Sequence, residues 1–200
     1  ITINGIRYVV DCGFVKAKAY NPLNGLEALK TIPVSKASAR QRMGRAGREA
    51  PGKCFRIYTE DSYNSLDDFT EPEIVRCNLS TVVLQLKSMG VQRVQSFSFM
   101  NPPSQQSLAK SVQVLYMLGA ISKKGALTDL GMRMASFPLD PMYAVALIRA
   151  EEFNCVKEIL SIVSMLSVES IFYSPHSKRD QANQAKMRFA SKNGDHLTYL

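Results

Sequence analysis

The feature that most constrains this chain is a change of pattern near residue 60. Before it lie short strand-like runs; after it, apolar residues recur at helical spacing. Ile6-Arg7-Tyr8-Val9-Val10 follows Asn4-Gly5 and is closed by Cys12-Gly13, which predicts a buried strand of the parallel-sheet kind. Val15 to Tyr20 alternates apolar and polar residues and reads as a half-exposed strand. Asn21-Pro22 and Asn24-Gly25 supply turn residues, so Leu26 to Val34 returns as the second strand of a hairpin. A short helix over Leu26–Lys30 is the competing expectation. Ser35 then caps a helix predicted to run through an arginine-rich stretch and stop near Gly47, and Lys53 to Tyr58 follows Pro51-Gly52 as one more strand. Strand, hairpin, helix, strand is the end of an α/β domain. These strands are too few for a whole doubly wound sheet, so its first half is expected upstream. Ile1-Thr2-Ile3 opens the chain strand-like and without Met, and Asn193-Gly194-Asp195 starts an element left incomplete. Both ends are therefore expected to be cuts from something longer.

Residues 60–72 are acidic and turn-rich, which suits a linker. Val75, Leu79, Val82, Val83 and Leu86 mark one face of a helix. Pro102-Pro103 breaks the chain, Ser104 caps the next helix, and Leu108, Val112 and Leu115 form its inner face. Gly119 to Thr128 predicts two short strands around a tight turn at Lys123-Lys124-Gly125, with a helix from Asp129 to Ser136 after it. Helix, helix, small hairpin, helix is a winged-helix pattern. Pro138 and Pro141 frame a second boundary. Two amphipathic helices broken near Asn154 follow from Met142 to Ser167, then a polar helix from Gln181 to Ser191. The expected fold class is α/β followed by mainly α.

Charge narrows the partners. Residues 1–60 hold 11 Lys and Arg against 4 Asp and Glu, whereas residues 61–200 hold 14 against 13. A basic excess confined to one segment points to a polyanion met by one face, either nucleotide phosphates or a nucleic-acid backbone. No apolar run approaches a bilayer span and no secretory signal opens the chain. Cys12, Cys54, Cys77 and Cys155 lie far apart, as do His176 and His196, so zinc is disfavoured and four reduced, buried thiols are expected. Met89, Met117, Met132, Met134 and Met165 read as core filler. Asp195 beside His196 reads as a helix cap. Ser38, Ser164 and Ser170 lack a triad partner in sequence.

The chemistry concentrates in Gln41-Arg42-Met43-Gly44-Arg45-Ala46-Gly47-Arg48. On a helix, positions 41, 45 and 48 share one stripe, a row about 10 Å long at 1.5 Å per residue. Arg42 sits about 100° away and is expected in an internal ion pair. Gly44 and Gly47 allow backbone or ligand to come close. Two guanidiniums and an amide in a row suit phosphoryl transfer: arginine binds phosphate oxygens bidentately, and glutamine orients an attacking water. Taken alone, an R-x-x-R pair such as Arg45–Arg48 reads more readily as a solvated basic helix face or a nucleic-acid contact than as a phosphoryl-transfer site.

The octet resembles the Q-R-x-G-R-A-G-R signature, motif VI, of superfamily 2 helicases, and every fixed position matches. Further stretches resemble the DEAH-box branch. They are Ile1-Thr2-Ile3-Asn4-Gly5 (the tail of motif V), Val10-Asp11-Cys12-Gly13-Phe14-Val15-Lys16 and Pro51 to Glu60. Pro72-Glu73-Ile74, Asn78-Leu79, Leu84-Gln85-Leu86-Lys87, Phe137 to Pro141 and Gly194 to Thr198 continue the likeness. It covers essentially the whole chain and is strongest toward pre-mRNA splicing members.

The resemblance implies an ATP-dependent RNA helicase, with residues 1–60 as the C-terminal part of its second RecA-like domain. It implies a linker over 61–70, a winged helix over 71–136 and the start of a helical ratchet-like bundle over 137–200. It makes Arg45 and Arg48 the arginine fingers on the γ-phosphate of ATP and Gln41 the holder of the lytic water, with Gly44 beside the nucleotide. Asn4, where most members carry Asp, would approach the ribose. The residues that bind the β/γ-phosphates and Mg²⁺ belong to the first RecA-like domain, and neither G-x-x-x-x-G-K-[ST] nor D-E-A-H occurs here. The 200 residues alone are therefore expected to be inactive. The implied partners are single-stranded RNA and spliceosomal or glycine-patch proteins, with no membrane. The implied location is the nucleus, otherwise the cytoplasm, and not outside the cell. The hairpin over Val15–Val34 would lie near the RNA and help to separate strands. Lys123-Lys124 at the wing tip and the basic residues from Lys178 onward read more readily as solvated surface. The competing class is a non-enzymatic winged-helix adaptor or nucleic-acid-binding module whose arginines touch a backbone.

Overall fold

The structure is a computed structural model and describes residues 3–168 and 171–200. The strand-like expectation for Ile1 and Thr2, and Ser170 with its expected lack of a triad partner, lie outside the described residues. The chain forms two compact units, one of Ile1–Leu79 with Phe97–Lys110 and the other of Ser80–Ser96 with Ser111–Leu200.

The first unit carries β1 (Tyr8–Asp11), β2 (Phe14–Asn21), β3 (Leu26–Pro33), α1 (Lys36–Met43) and β4 (Lys53–Arg56). β1 and β4 pair in parallel, Tyr8 opposite Lys53 and Asp11 opposite Arg56. Parallel pairing needs a long crossover, which the hairpin and α1 supply. The buried-strand expectation for β1 is corrected: Tyr8 and Val10 are 68% and 69% exposed, and of β1 only Asp11 is buried. With two strands, one face packs toward α1, and Tyr8, Val10 and Phe55 on the other stay in solvent.

β2 and β3 form the hairpin as a separate antiparallel sheet, Phe14 opposite Pro33 and Asn21 opposite Leu26. Local chemistry decides against the competing helix over Leu26–Lys30. Asn21 Oδ1 accepts from the Leu23 amide at 3.0 Å, Asn24 Oδ1 from the Leu26 amide at 3.0 Å, and Gly25 takes φ +71°.

Ser35 caps α1, its hydroxyl accepting from the Ser38 amide at 3.1 Å, and both hydroxyls meet Thr70 Oγ1. The helix ends at Met43 with Gly44 as its C-cap, earlier than the sequence suggests. Residues 44–47 form a tighter turn, in which the Arg45 and Ala46 amides bond to the Arg42 and Met43 carbonyls three residues back. Two glycines within four positions cost about 1 kcal/mol each in a helix, enough to end so short a one.

The segment read as a linker begins with a helix, α2 (Glu60–Asn64), capped by Thr59. Its acidic residues are those a helix N-terminus favours. Beyond it, the Asp67 and Asp68 carbonyls accept from the Lys36 and Ala37 amides, and Lys36 Nζ lies 3.3 Å from Asp68. The single helix expected across Val75–Leu86 is two: α3 (Glu73–Arg76) and α4 (Ser80–Ser88). Cys77 is extended between them. Leu79 is buried just outside α4, and the break coincides with the junction of the two units.

Ser104 caps α5 (Gln105–Met117), accepting from the Ser107 amide at 3.0 Å. Leu108 and Leu115 are buried on it as expected, and Val112 is half-buried. In the second unit the expected pair of strands is one antiparallel bridge, Ile121 to Leu127, closed by a turn with Gly125 at φ +76°. Thr128 caps α6 (Asp129–Ala135), accepting from the Gly131 amide at 2.9 Å. Asp140 and Pro141 open α7 (Pro141–Ala150). Asn154, at φ +53°, ends the connection to α8 (Val156–Leu166). A short 3-10 turn, His176–Lys178, precedes α9 (Arg179–Met187).

Val83, Leu84, Leu115, Ile121, Met134, Ala144 and Ile148 are buried in this unit. Of the methionines read as core, only Met134 is buried; Met89 and Met117 are 77% and 75% exposed. The thiols are not buried either: Cys12 is exposed and the other three half-buried. Asp195 is not a cap, because the N-cap position belongs to Gly194 at φ +125° with no side-chain cap bond.

Candidate functional site

The octet divides between two backbone states. Gln41, Arg42 and Met43 finish α1, while Gly44 to Gly47 turn and Arg48 lies beyond them. The expected stripe of Gln41, Arg45 and Arg48 on one helix is therefore not the geometry present. A turn of i+3 bonds advances side chains faster than an α-helix does. Gln41 and Arg45 nonetheless line one open cleft with Val9, Val10, Asp11, Cys12, Phe14 and Arg42. Gln41 is exposed and Arg45 is half-buried. Arg48 is exposed and does not line that cleft. Its neighbour Glu49 accepts from the Gly5 amide at 2.9 Å, which brings the exposed Asn4-Gly5 turn beside the end of the octet.

Arg42 makes the internal ion pair expected of it. Its Nη1 donates to Asp11 Oδ1 at 2.7 Å and its Nη2 to the Phe14 carbonyl at 2.9 Å. Asp11 also accepts from the Gly13 amide at 3.1 Å and from the Tyr58 hydroxyl at 3.0 Å. Burial pushes the Asp11 carboxyl up, but the Gly13 amide, Arg42 and Tyr58 together outweigh it and hold the group below its usual value. Burial, then the bond to Asp11, pushes the Tyr58 phenol up. Asp11 thus stays ionised as the fixed floor of the cleft.

Glycine serves closeness at other positions than expected. A Cβ on Gly47 would meet nothing within 4 Å and one on Gly44 only ordinary contacts at 3.5 Å. At Gly52 it would overlap the Ala46 and Arg7 carbonyl oxygens. Gly52 therefore lets the arginine turn lie directly against the chain entering β1. Sequence reasoning assigned no role to Gly52, Asp11 or Tyr58. Pro51-Gly52 reads as an ordinary turn, and the Asp11–Tyr58 contact spans 47 residues with no local signal.

Among the described residues, no group of three or more His, Cys, Asp or Glu could hold a metal ion. No helix among them is long and apolar enough to cross a membrane.

Residues 111–139 match the winged-helix part of the helicase associated domain (HA2) family, and residues 140–199 match its ratchet-like part. Over its whole length the chain is 52% identical to the pre-mRNA-splicing factor ATP-dependent RNA helicase DEAH10 of Arabidopsis thaliana. It is 49% identical to the probable ATP-dependent RNA helicase DHX35 of Homo sapiens and 48% identical to the ATP-dependent RNA helicase DHX33 of Mus musculus. The chain spans 28% of the length of the first of these and 29% of the other two.

Proposed function

Since the chain belongs to the DEAH-box RNA helicase family, we propose that it supplies the arginine-bearing side of an ATP-hydrolysing site in an RNA helicase. The observation that carries this is the sharing of one cleft by Gln41 and Arg45, while Arg42 is held to Asp11 in its floor. A guanidinium and an amide facing one open cleft fit a terminal phosphate and a water beside it.

Arg45, joined by Arg48 from just beyond the turn, stabilises charge on the transferred phosphoryl group. Gln41 orients the water. Gly44 leaves the C-cap of α1 without a side chain next to the nucleotide, and Asn4 meets the ribose. ATP would supply the reaction's free energy, and the first RecA-like domain would hold its β/γ-phosphates and Mg²⁺. Residues 1–60 are proposed as part of the second RecA-like domain, with 61–70 as linker. Residues 71–136 form the winged helix and 137–200 the ratchet-like bundle, an assignment supported by the two HA2 matches.

The bound polymer is single-stranded RNA, approached by the hairpin that carries Lys16, Lys18 and Lys30, and Mg²⁺-ATP is the fuel. The splicing name of the Arabidopsis relative supports a role in pre-mRNA splicing, a nuclear location and spliceosomal or glycine-patch partners.

Substitution of Arg45 or Arg48 by Ala in the full-length helicase tests the site. Hydrolysis is expected to fall by about 10³-fold, within the range for arginine fingers, with RNA affinity nearly unchanged. Unchanged hydrolysis with weakened RNA binding would instead favour the non-enzymatic adaptor reading.

A further inference from the structure

Arg42 sends its two terminal nitrogens to two different elements. Nη1 reaches Asp11 at the end of β1, and Nη2 reaches the carbonyl of Phe14, the first residue of β2. Among the described residues the hairpin shares no rung with the β1–β4 sheet, so its direction is set by what holds its base. At that base the Val34 amide donates to the Gly13 carbonyl at 2.9 Å, and the Gly13 amide donates to Asp11 at 3.1 Å. Val34 is buried and passes through the Ser35 cap directly into α1. Both ends of the hairpin are thereby tied to α1, one through the chain and the other through Arg42. Farther along β2, Arg76 Nη1 donates to the Lys18 carbonyl at 2.9 Å as a separate brace.

We propose that Arg42 is a positioning residue for the hairpin, gripping Phe14 so that movement of the Gln41-bearing helix is passed to β2. This rests on the reading of α1 as facing the nucleotide. The grip needs two donors at fixed spacing, which guanidinium has and ammonium lacks. Lysine at position 42 keeps the charge beside Asp11 but offers its donors from a single nitrogen, in place of the two that reach Asp11 and Phe14.

The test is Arg42→Lys in the full-length helicase. A double variant, Asp11→Asn with Arg42→Met, removes the ion pair as a unit and guards against a folding defect from an unpaired Asp11. Amide exchange over residues 14–34 is expected to rise about tenfold in both, with α1 protection unchanged. Duplex opened per ATP hydrolysed is expected to fall about fivefold or more. Wild-type hairpin exchange and wild-type opening per ATP in folded variants would overturn the proposal. Arg45→Ala serves as the control on the underlying reading. If Arg45→Ala abolishes hydrolysis and Arg42→Lys leaves the hairpin unchanged, only the Arg42 proposal fails. If Arg45→Ala leaves hydrolysis intact, the nucleotide-site reading fails and the coupling with it.

Discussion

Arg42 and Asp11 lie 31 residues apart in sequence and 2.7 Å apart in space, with the Asp11 side chain fully buried and Arg42 one-third exposed. A buried carboxylate that loses its cation keeps its desolvation penalty. Arg42→Ala is therefore expected to destabilise the first unit by about 3 kcal/mol, the low end for such pairs because Arg42 stays partly hydrated. Denaturant unfolding followed by a probe in that unit measures this; a loss below about 1 kcal/mol, the level of a surface pair, would contradict it.

The depressed Asp11 pKa gives this contribution a pH dependence of known sign. A carboxyl with a folded pKa below its unfolded one stabilises above the unfolded value, near 3.9, and the gain fades as pH falls toward the folded value. The stability difference between wild type and Asp11→Asn should be flat from about pH 5 to 8 and shrink below about pH 4. A difference that grew on acidification would contradict the assignment.

Gly52 sets how closely the arginine turn lies against the entry to β1. Gly52→Ala must displace the Ala46 or Arg7 carbonyl, so Arg45 moves with its turn. Overpacking of this kind costs about 1–3 kcal/mol. In the full-length helicase, kcat for ATP should fall by about 10²-fold, the effect of an ångström-scale misplacement, with RNA affinity preserved. Steady-state kinetics beside RNA titration would show it, and wild-type kcat would refute it.

Lys87 pins the wing. Its Nζ donates to the Gln92 carbonyl at 2.6 Å and the Gly125 carbonyl at 2.7 Å, and burial pushes its pKa down. Lys87→Met leaves both carbonyls without their donor, costing about 1–3 kcal/mol. Faster amide exchange at residues 122–126 should accompany the loss. Unchanged exchange there would show that the bridge of Ile121 to Leu127 holds the wing unaided.

Much of the local structure was legible because its causes are local. Asn21, Asn24 and Gly25 make the hairpin turn; Ser35, Ser104 and Thr128 cap helices; Asn154 breaks the pair α7 and α8. Each acts within a few residues, where side-chain chemistry competes directly with the backbone. The acidic residues at 60 and 61 misled because one composition serves a linker and a helix N-terminus equally.

For the site, the sequence by itself singled out the residues proposed to carry the chemistry: Gln41, Arg45 and Arg48, with Arg42 apart from them. Tertiary structure alone decided where they stand. The helix stops at Met43, Arg45 turns into a cleft over Asp11 without Arg48, and Gly52 rather than Gly47 permits the close approach. The reason is physical. Helical periodicity predicts side-chain direction only while the helix lasts, and Asp11, held also by Tyr58, meets Arg42 of the octet through a contact that no nearby sequence spacing encodes.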